Sequence, residues 1–205
     1  MTKRAEERRK QVLLATLKAI NDKGFSEVTL QDIADYTDFS KGVISYYFKN
    51  KEDVFYHLLE WMTDRIFQNE YIAIQKEDTA IDMIRAYVDT VFKSPKDNKV
   101  FYSVYLEFLA QTKKNESFRE VNNAFYKNCW FIGSEIIEKG KSEGIFTTVN
   151  VESGSHMIRA LIDGCLLQWL MRDDDTLHSY YRDNCFEAII TYLSNKEEII
   201  KTTKL

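Results

Sequence analysis

The stretch TLQDIADYTDFSKGVISYYFKNK, residues 29–51, spaces its apolar side chains as two short helices of about eight residues meeting at a tight turn. Thr29 can cap the first helix with its hydroxyl, and Asp32 falls in the first turn, where a carboxylate meets free backbone N–H groups. Leu30, Ile33 and Ala34 give that helix one apolar face. Tyr36 to Phe39 break the pattern, with Asp38 expected in the left-handed conformation that Asp tolerates better than most non-glycines. Ser40 opens the second helix, in which Val43, Ile44, Tyr47 and Phe48 recur at helical spacing, and Asn50 with Asp53 caps a third, longer one. The result is a helix-turn-helix at about 29–48, whose second helix can enter a major groove.

Groove reading needs side chains on the exposed face of that second helix, and Ser40, Lys41, Gly42, Ser45 and Tyr46 occupy it. The net charge of −4 is compatible with such a role once divided along the chain. Residues 1–51 hold 10 Lys/Arg against 7 Asp/Glu, or +3, and residues 52–205 hold 18 against 25, or −7. A basic head on an acidic body presents one end to phosphate.

The run GFSEVTLQDIADYTDFSKGVISYYFKNKEDVF, residues 24–55, resembles the N-terminal DNA-binding domain of the TetR family of bacterial repressors, and within it the betaine-pathway type. The similarity is close from about Glu6 to Asp64 and looser beyond, where IIEKGKSEGIF and HMIRALIDG resemble the family's body. The family usually has Gly where Asp38 stands, which suggests slight strain in the turn. By position, the resemblance implies that Gln31, Lys41, Gly42, Val43 and Ser45 face bases or line the groove, while Thr29, Tyr47 and Lys51 touch phosphates. It also implies a homodimer on a palindromic double-stranded operator, released by a small-molecule effector. Phe48 reads as core.

The remaining chain is all-α, with about nine helices in total. One Pro and seven Gly in 205 residues leave little to interrupt helices. The first helix, basic at its start (Lys3, Arg4, Arg8, Arg9, Lys10), ends at Gly24; that start is either a solvated terminus or an arm on DNA. Later helices are expected at Glu52 to about Ile74, Thr79 to Phe92 and Val100 to Thr112, with Pro95 interrupting. Ser117 and Glu120 form a capping-box pair opening a seventh helix that stops near Gly144. The last two run from about Val151 to Met171 and from Thr176 to Ser194, and the tail EEIIKTTKL reads as frayed. The organisation is a DNA-binding domain at 1–51 and an effector-binding and dimerisation domain at 52–205.

Relatives use the middle helices as an effector pocket, and here Tyr71, Tyr87, Tyr102, Tyr105, Phe108, Tyr126, Trp130 and Trp169 are the candidates to line one, with Glu107 and Asp163 as nearby charges. Packing alone also explains an aromatic stripe at helical spacing. Rings gathered around one cavity would favour an apolar or cationic ligand. In the last two helices Ile158, Leu161, Ile162, Cys165, Leu166, Trp169, Phe186, Ile189, Ile190 and Leu193 are candidates for a four-helix dimer interface.

No window of 18 or more apolar residues and no signal peptide are visible, so a cytoplasmic protein with no membrane partner is expected. Cys129, Cys165 and Cys185, odd in number and set among apolar neighbours, read as buried free thiols. A metal-binding enzyme bundle would need Glu-x-x-His pairs, and the chain offers only His57-Leu-Leu-Glu60 in reverse order. No catalytic residue, metal or cofactor is therefore expected. A helix-turn-helix regulator without a small-molecule sensor stays open as the alternative.

Overall fold

In the computed structural model, residues 3–194 are described, and all their regular structure is helical. The elements are α1 Lys3–Lys23, α2 Leu30–Asp35, α3 Lys41–Tyr47, α4 Lys51–Ile74, α5 Ala80–Val91, α6 Pro95–Gln111, α7 Glu116–Ser142, α8 Val151–Arg172 and α9 His178–Ser194. A 3-10 turn at Asp175–Leu177 precedes α9, which therefore begins two residues after the expected Thr176. The tail at 197–205 and the first two residues lie outside the described range.

The described residues form two compact units, one of 3–65 with 99–123 and the other of 66–98 with 124–194. In the first, α1 packs on α2 and α2 on α3. Val12, Ile20, Ile33, Ile44, Phe48, Val54 and Leu58 are buried there. Phe25, Phe55, Phe108 and Phe118 add an edge-to-face cluster, in which Phe25 and Phe108 lie 5.2 Å apart at 85°. In the second unit α9 packs on both α5 and α8, over a core including Ile84, Val88, Ile132, Ile136, Ile162, Trp169 and Ile189.

Local chemistry accounts for the helix ends. Thr29 and Asp32 form a reciprocal capping box, and Asn50 Oδ1 accepts from Asp53 N at 2.8 Å. Gly24 closes α1 at φ +84°, and Gly144 follows α7 at φ +77°. Helix α7 demands small residues at two places: a Cβ on Gly133 would lie 2.9 Å from the Ser155 backbone, and one on Gly140 would overlap the Phe146 ring.

Four expectations are corrected. Asp38 is not left-handed; among the described residues Asp173, at the end of α8, is the non-glycine with positive φ. Thr37 makes that conformation unnecessary at Asp38, because its hydroxyl donates to Ala34 O and accepts from Phe39 N, each at 3.0 Å. Pro95 begins α6 rather than interrupting it, since a missing N–H costs nothing in the first turn and Ser94 Oγ accepts from Asp97 N. The cap of α7 is Asn115, whose Oδ1 accepts from Phe118 N, rather than Ser117 with Glu120. Cys165 is half-buried, whereas Cys129 and Cys185 are buried.

Candidate functional site

Helix α3 has two distinct faces. Ile44 and the following Phe48 are buried, while Ser40, Lys41, Gly42, Ser45 and Tyr46 are exposed and Val43 is half-buried. Tyr46 is 83% exposed, a large ring left in water on a seven-residue helix. The Ser40 hydroxyl makes no capping hydrogen bond. A Cβ on Gly42 would meet only Ser40 Oγ, at 3.7 Å, so the fold itself does not require glycine there.

The remaining sequence-predicted DNA residues surround that face. Thr29 is exposed, with its hydroxyl committed to Asp32, whose carboxyl is held below its ordinary value by hydrogen bonds from Lys23 and Thr29. Gln31 is exposed and donates to Asp35 Oδ1 at 2.9 Å. Tyr47 is half-buried, its ring edge-on to Tyr46. Lys51 reaches Ser26 O at 3.4 Å and lies over the Phe55 ring.

Helix α1 holds this assembly in place. Arg9 Nη1 donates to Tyr47 O at 2.9 Å, and its guanidinium sits 4.5 Å from the centre of the Phe48 ring. Arg8 lies over Phe39 in the turn at 5.8 Å. Two of the basic residues that the sequence offered as a DNA arm or a solvated terminus thus clamp both ends of α3.

The eight candidate pocket aromatics fall in both units. Tyr102, Tyr105 and Phe108 belong to the first, where all three are buried; Tyr105 donates to Asn122, and Phe108 sits in the phenylalanine cluster. Glu107 accepts from Phe25 N at 2.7 Å. In the second unit Tyr126 stacks on Trp130 at 6.1 Å, Tyr71 stacks on Phe67, and Trp169 packs on His178 while donating to Asp174 O. His178 also meets Asn98 Oδ1 at 2.8 Å, and burial lowers its pKa.

Tyr87, the remaining candidate, borders a buried polar cluster not anticipated from the sequence. Glu70 and Arg159 are each 1% exposed, and Arg159 Nη1 lies 4.0 Å from Glu70 Oε1. Arg159 Nη2 pairs with Asp163 at 2.6 Å, its Nη1 donates to Cys129 Sγ, and its guanidinium covers Phe125 at 5.0 Å. Tyr126 donates to Asp163 at 3.2 Å. Burial pushes Glu70 up to about 8 and the Cys129 thiol up to about 12, and raises Tyr87. A sequence signal existed: Glu70 falls four residues after Ile66 and four before Ile74, on the apolar stripe of α4.

Of the ten candidate interface residues, Ile158, Ile162, Leu166, Trp169, Ile189 and Leu193 are buried within the chain, while Leu161, Cys165, Phe186 and Ile190 are half-buried. Phe186 is covered by the Arg85 guanidinium, 3.4 Å from its ring centre. Instead, Met157, Ala160, Gly164, Leu167 and Met171 recur at spacings of three and four along α8. Met157, Ala160, Leu167 and Met171 are exposed, and a Cβ on Gly164 would meet nothing within 4 Å.

Among the described residues no group of three or more His, Cys, Asp or Glu could hold a metal ion, and no helix is long and apolar enough to cross a membrane. The His57–Glu60 pair makes a 3.1 Å contact along one helix face.

The chain matches the family described as bacterial regulatory proteins, tetR family, over residues 12–58, and that described as BetI-type transcriptional repressor, C-terminal, over residues 80–187. The HTH-type transcriptional regulator BetI of Pectobacterium atrosepticum is 28% identical over 196 residues, which cover 90% of each chain. A transcriptional regulator from Saccharomonospora viridis, solved in complex with choline, has a similar fold: TM-score 0.81 and 22% identity, over 90% of this chain and 96% of that one. FadR of Bacillus subtilis, solved in complex with stearoyl-CoA, has a TM-score of 0.71 and 22% identity, over 88% of this chain and 97% of that one. At such identities these two structures establish the shared fold, and their ligands are stated of those proteins.

Proposed function

We propose, from the premise that the chain belongs to the tetR family of bacterial regulatory proteins with a BetI-type C-terminal domain, a homodimeric repressor that leaves its operator when a small molecule binds. That it is a DNA-binding transcriptional regulator, and not an enzyme, follows from the family. The observation that carries the finer reading is the exposed face of α3: Lys41, Gly42, Ser45 and Tyr46 stand in water although the helix behind them is fixed by Ile44, Phe48 and Arg9.

In this reading residues 1–51 are the DNA-binding domain and 52–205 the effector and dimer domain. Ser40, Lys41, Gly42, Val43, Ser45 and Tyr46 enter the major groove, with Gln31 beside them. Gly42 lets the backbone approach, and Val43 can meet a thymine methyl. Thr29, Tyr47 and Lys51 hold phosphates and fix the register without reading sequence. Two copies join through α8 and α9, along the stripe from Met157 to Met171, and bind a palindrome because the dimer is two-fold symmetric. Such a regulator acts in the cytoplasm.

The small-molecule effector is supported by relatives of the same fold solved with choline and with stearoyl-CoA. Those ligands span a cation and a long acyl chain, matching the apolar or cationic class that the aromatic body suits. To switch, the ligand must bind the DNA-free state more tightly, and a coupling of about 1–3 kcal/mol is typical. Fluorescence anisotropy on DNA from directly upstream of the coding region, repeated with cationic and apolar compounds, tests the reading. Palindrome-dependent binding released by one compound supports it; binding that no compound releases would favour a regulator without a small-molecule sensor.

A further inference from the structure

Helices α8 and α9 form an antiparallel hairpin in the second unit, and its register is fixed at both ends. Next to the turn, the Trp169 ring packs on His178 at 4.7 Å while its indole N–H donates to Asp174 O. At the far end a Cβ on Gly154 would lie 3.8 Å from Leu193 Cδ2. Between these points the register brings Cys165 of α8 to within one helical turn of the level of Cys185 on α9, and the Cys185 thiol donates a hydrogen bond to the Cys165 sulfur. Either cysteine alone would serve as a small apolar residue at a helix contact. Two in contact can also form a bond, because thiols that meet from facing helices are placed for an S–S link of about 2.0 Å.

The two sulfurs are not equivalent. Cys185 is 0% exposed, whereas Cys165 is half-buried. The hydrogen bond from Cys185 holds the Cys165 thiol below its ordinary value, and the same bond, with burial, raises Cys185. An oxidant therefore meets the more acidic sulfur first, with the second behind it, the arrangement of a reactive thiol beside a resolving one. Cys129 differs on each count: it is buried, its sulfur accepts from Arg159 Nη1, and burial pushes it up to about 12. Cys165 is also turned about 100° around α8 from Gly164, away from the exposed stripe, so the pair is separate from the face that a second copy would cover.

We propose that Cys165 and Cys185 are an oxidative modification site, which a small hydroperoxide converts to a disulfide within one chain, bridging α8 to α9. The Cys165 thiolate attacks one peroxide oxygen: an S–O bond forms, the O–O bond breaks, and the departing hydroxide takes a proton to leave as water. The Cys185 sulfur then attacks Cys165. An S–S bond forms, the S–O bond breaks, and the Cys185 proton leaves with the hydroxide as water. In sum two thiols and one hydrogen peroxide give one disulfide and two waters, the sulfurs losing the two electrons that the peroxide gains. A dithiol reductant reverses the change by exchange. In a reducing cytoplasm the resting form is the dithiol, and a bridge there is transient and reports oxidant rather than holding the fold. The site depends on neither the DNA-reading face nor the effector.

Peptide mapping of the full-length protein by mass spectrometry, after micromolar hydrogen peroxide and alkylation in denaturant, reads the bridge directly. The expected result is a Cys165–Cys185 linkage in protein that runs as single chains on a non-reducing gel, reversed by dithiothreitol, with Cys129 recovered as free thiol. On the untreated native protein, iodoacetamide should label Cys165 at least tenfold faster than Cys129. Cys185→Ser should leave Cys165 as a sulfenic acid that dimedone traps, and Cys165→Ser should abolish the linkage, with circular dichroism as the check on folding. Bridges that join two chains, a linkage through Cys129, or Cys165 carried to the sulfinic acid with no linkage would overturn the proposal. So would labelling of Cys165 no faster than that of Cys129, a comparison that needs no variant.

Discussion

Arg9→Ala should loosen α3 in the absence of any DNA. The substitution removes a charged N–H donor from Tyr47 O at 2.9 Å and a guanidinium 4.5 Å from the Phe48 ring centre. A half-buried hydrogen bond from a charged donor contributes about 1 kcal/mol, and a partly exposed cation–π contact about 0.5–1 kcal/mol. The expected loss is therefore about 1.5–2 kcal/mol, felt where the helix ends. Chemical denaturation should show it, and amide exchange at Phe48, whose N–H bonds to Ile44 O at 3.0 Å, should quicken about 10- to 30-fold if this end opens locally. Arg9→Lys should recover less than half, because an ammonium cannot both lie flat on the ring and donate to the carbonyl. DNA affinity should drop for every sequence, with a change in salt slope well below one. An unchanged denaturation midpoint together with a slope reduced by about one would mean that Arg9 is a phosphate contact, and the clamp would be refuted.

Lys51→Ala should weaken binding to all duplexes and flatten the salt dependence by about one unit, whereas Gln31→Ala should cost about 1–3 kcal/mol at particular base pairs; anisotropy titrations across salt and operator variants separate the two. Gly140→Ala places a methyl in overlap with the Phe146 ring, which is 1% exposed, so denaturation should show a loss of about 1–3 kcal/mol. Leu167→Glu puts a charge in the middle of the exposed α8 stripe and should yield folded monomers by analytical ultracentrifugation, with operator affinity lost in parallel. Glu70 is raised from 4.5 when unfolded to about 8 when folded, so the native state holds the extra proton and stability falls as pH climbs through that window. Urea midpoints between pH 5 and 8 should decline for wild type and much less for Glu70→Gln.

Helix placement was legible because apolar periodicity and capping chemistry agree. Thr29 with Asp32, Asn50 with Asp53 and Thr79 before Asp82 each announce a helix start that the structure contains. The errors arise where one residue type serves two purposes. A Pro can stop a helix or start one, and Ser94 just before Pro95 decides for the start. Asp38 suggested a left-handed turn only because the Thr37 hydroxyl, which closes the turn, is invisible to periodicity. Helix α8 is apolar on two faces, so spacing could not separate Ile158, Ile162 and Leu166, which are buried in the chain, from Met157, Leu167 and Met171, which are not. Glu70 and Arg159 were hidden for a different reason: charged residues are read as solvent-facing, and only their register on apolar stripes marks them as buried.

Everything proposed for DNA turns on α3 reading a palindrome from the major groove. Methylation interference on the upstream fragment is the sharpest test, because dimethyl sulfate modifies guanine N7 in the major groove and adenine N3 in the minor groove. Guanine N7 methylation at two symmetry-related half-sites is expected to block binding, with Lys41→Ala or Ser45→Ala weakening interference at the same base in each half. Interference confined to adenine N3, or a single unsymmetrical footprint, would contradict groove reading by α3.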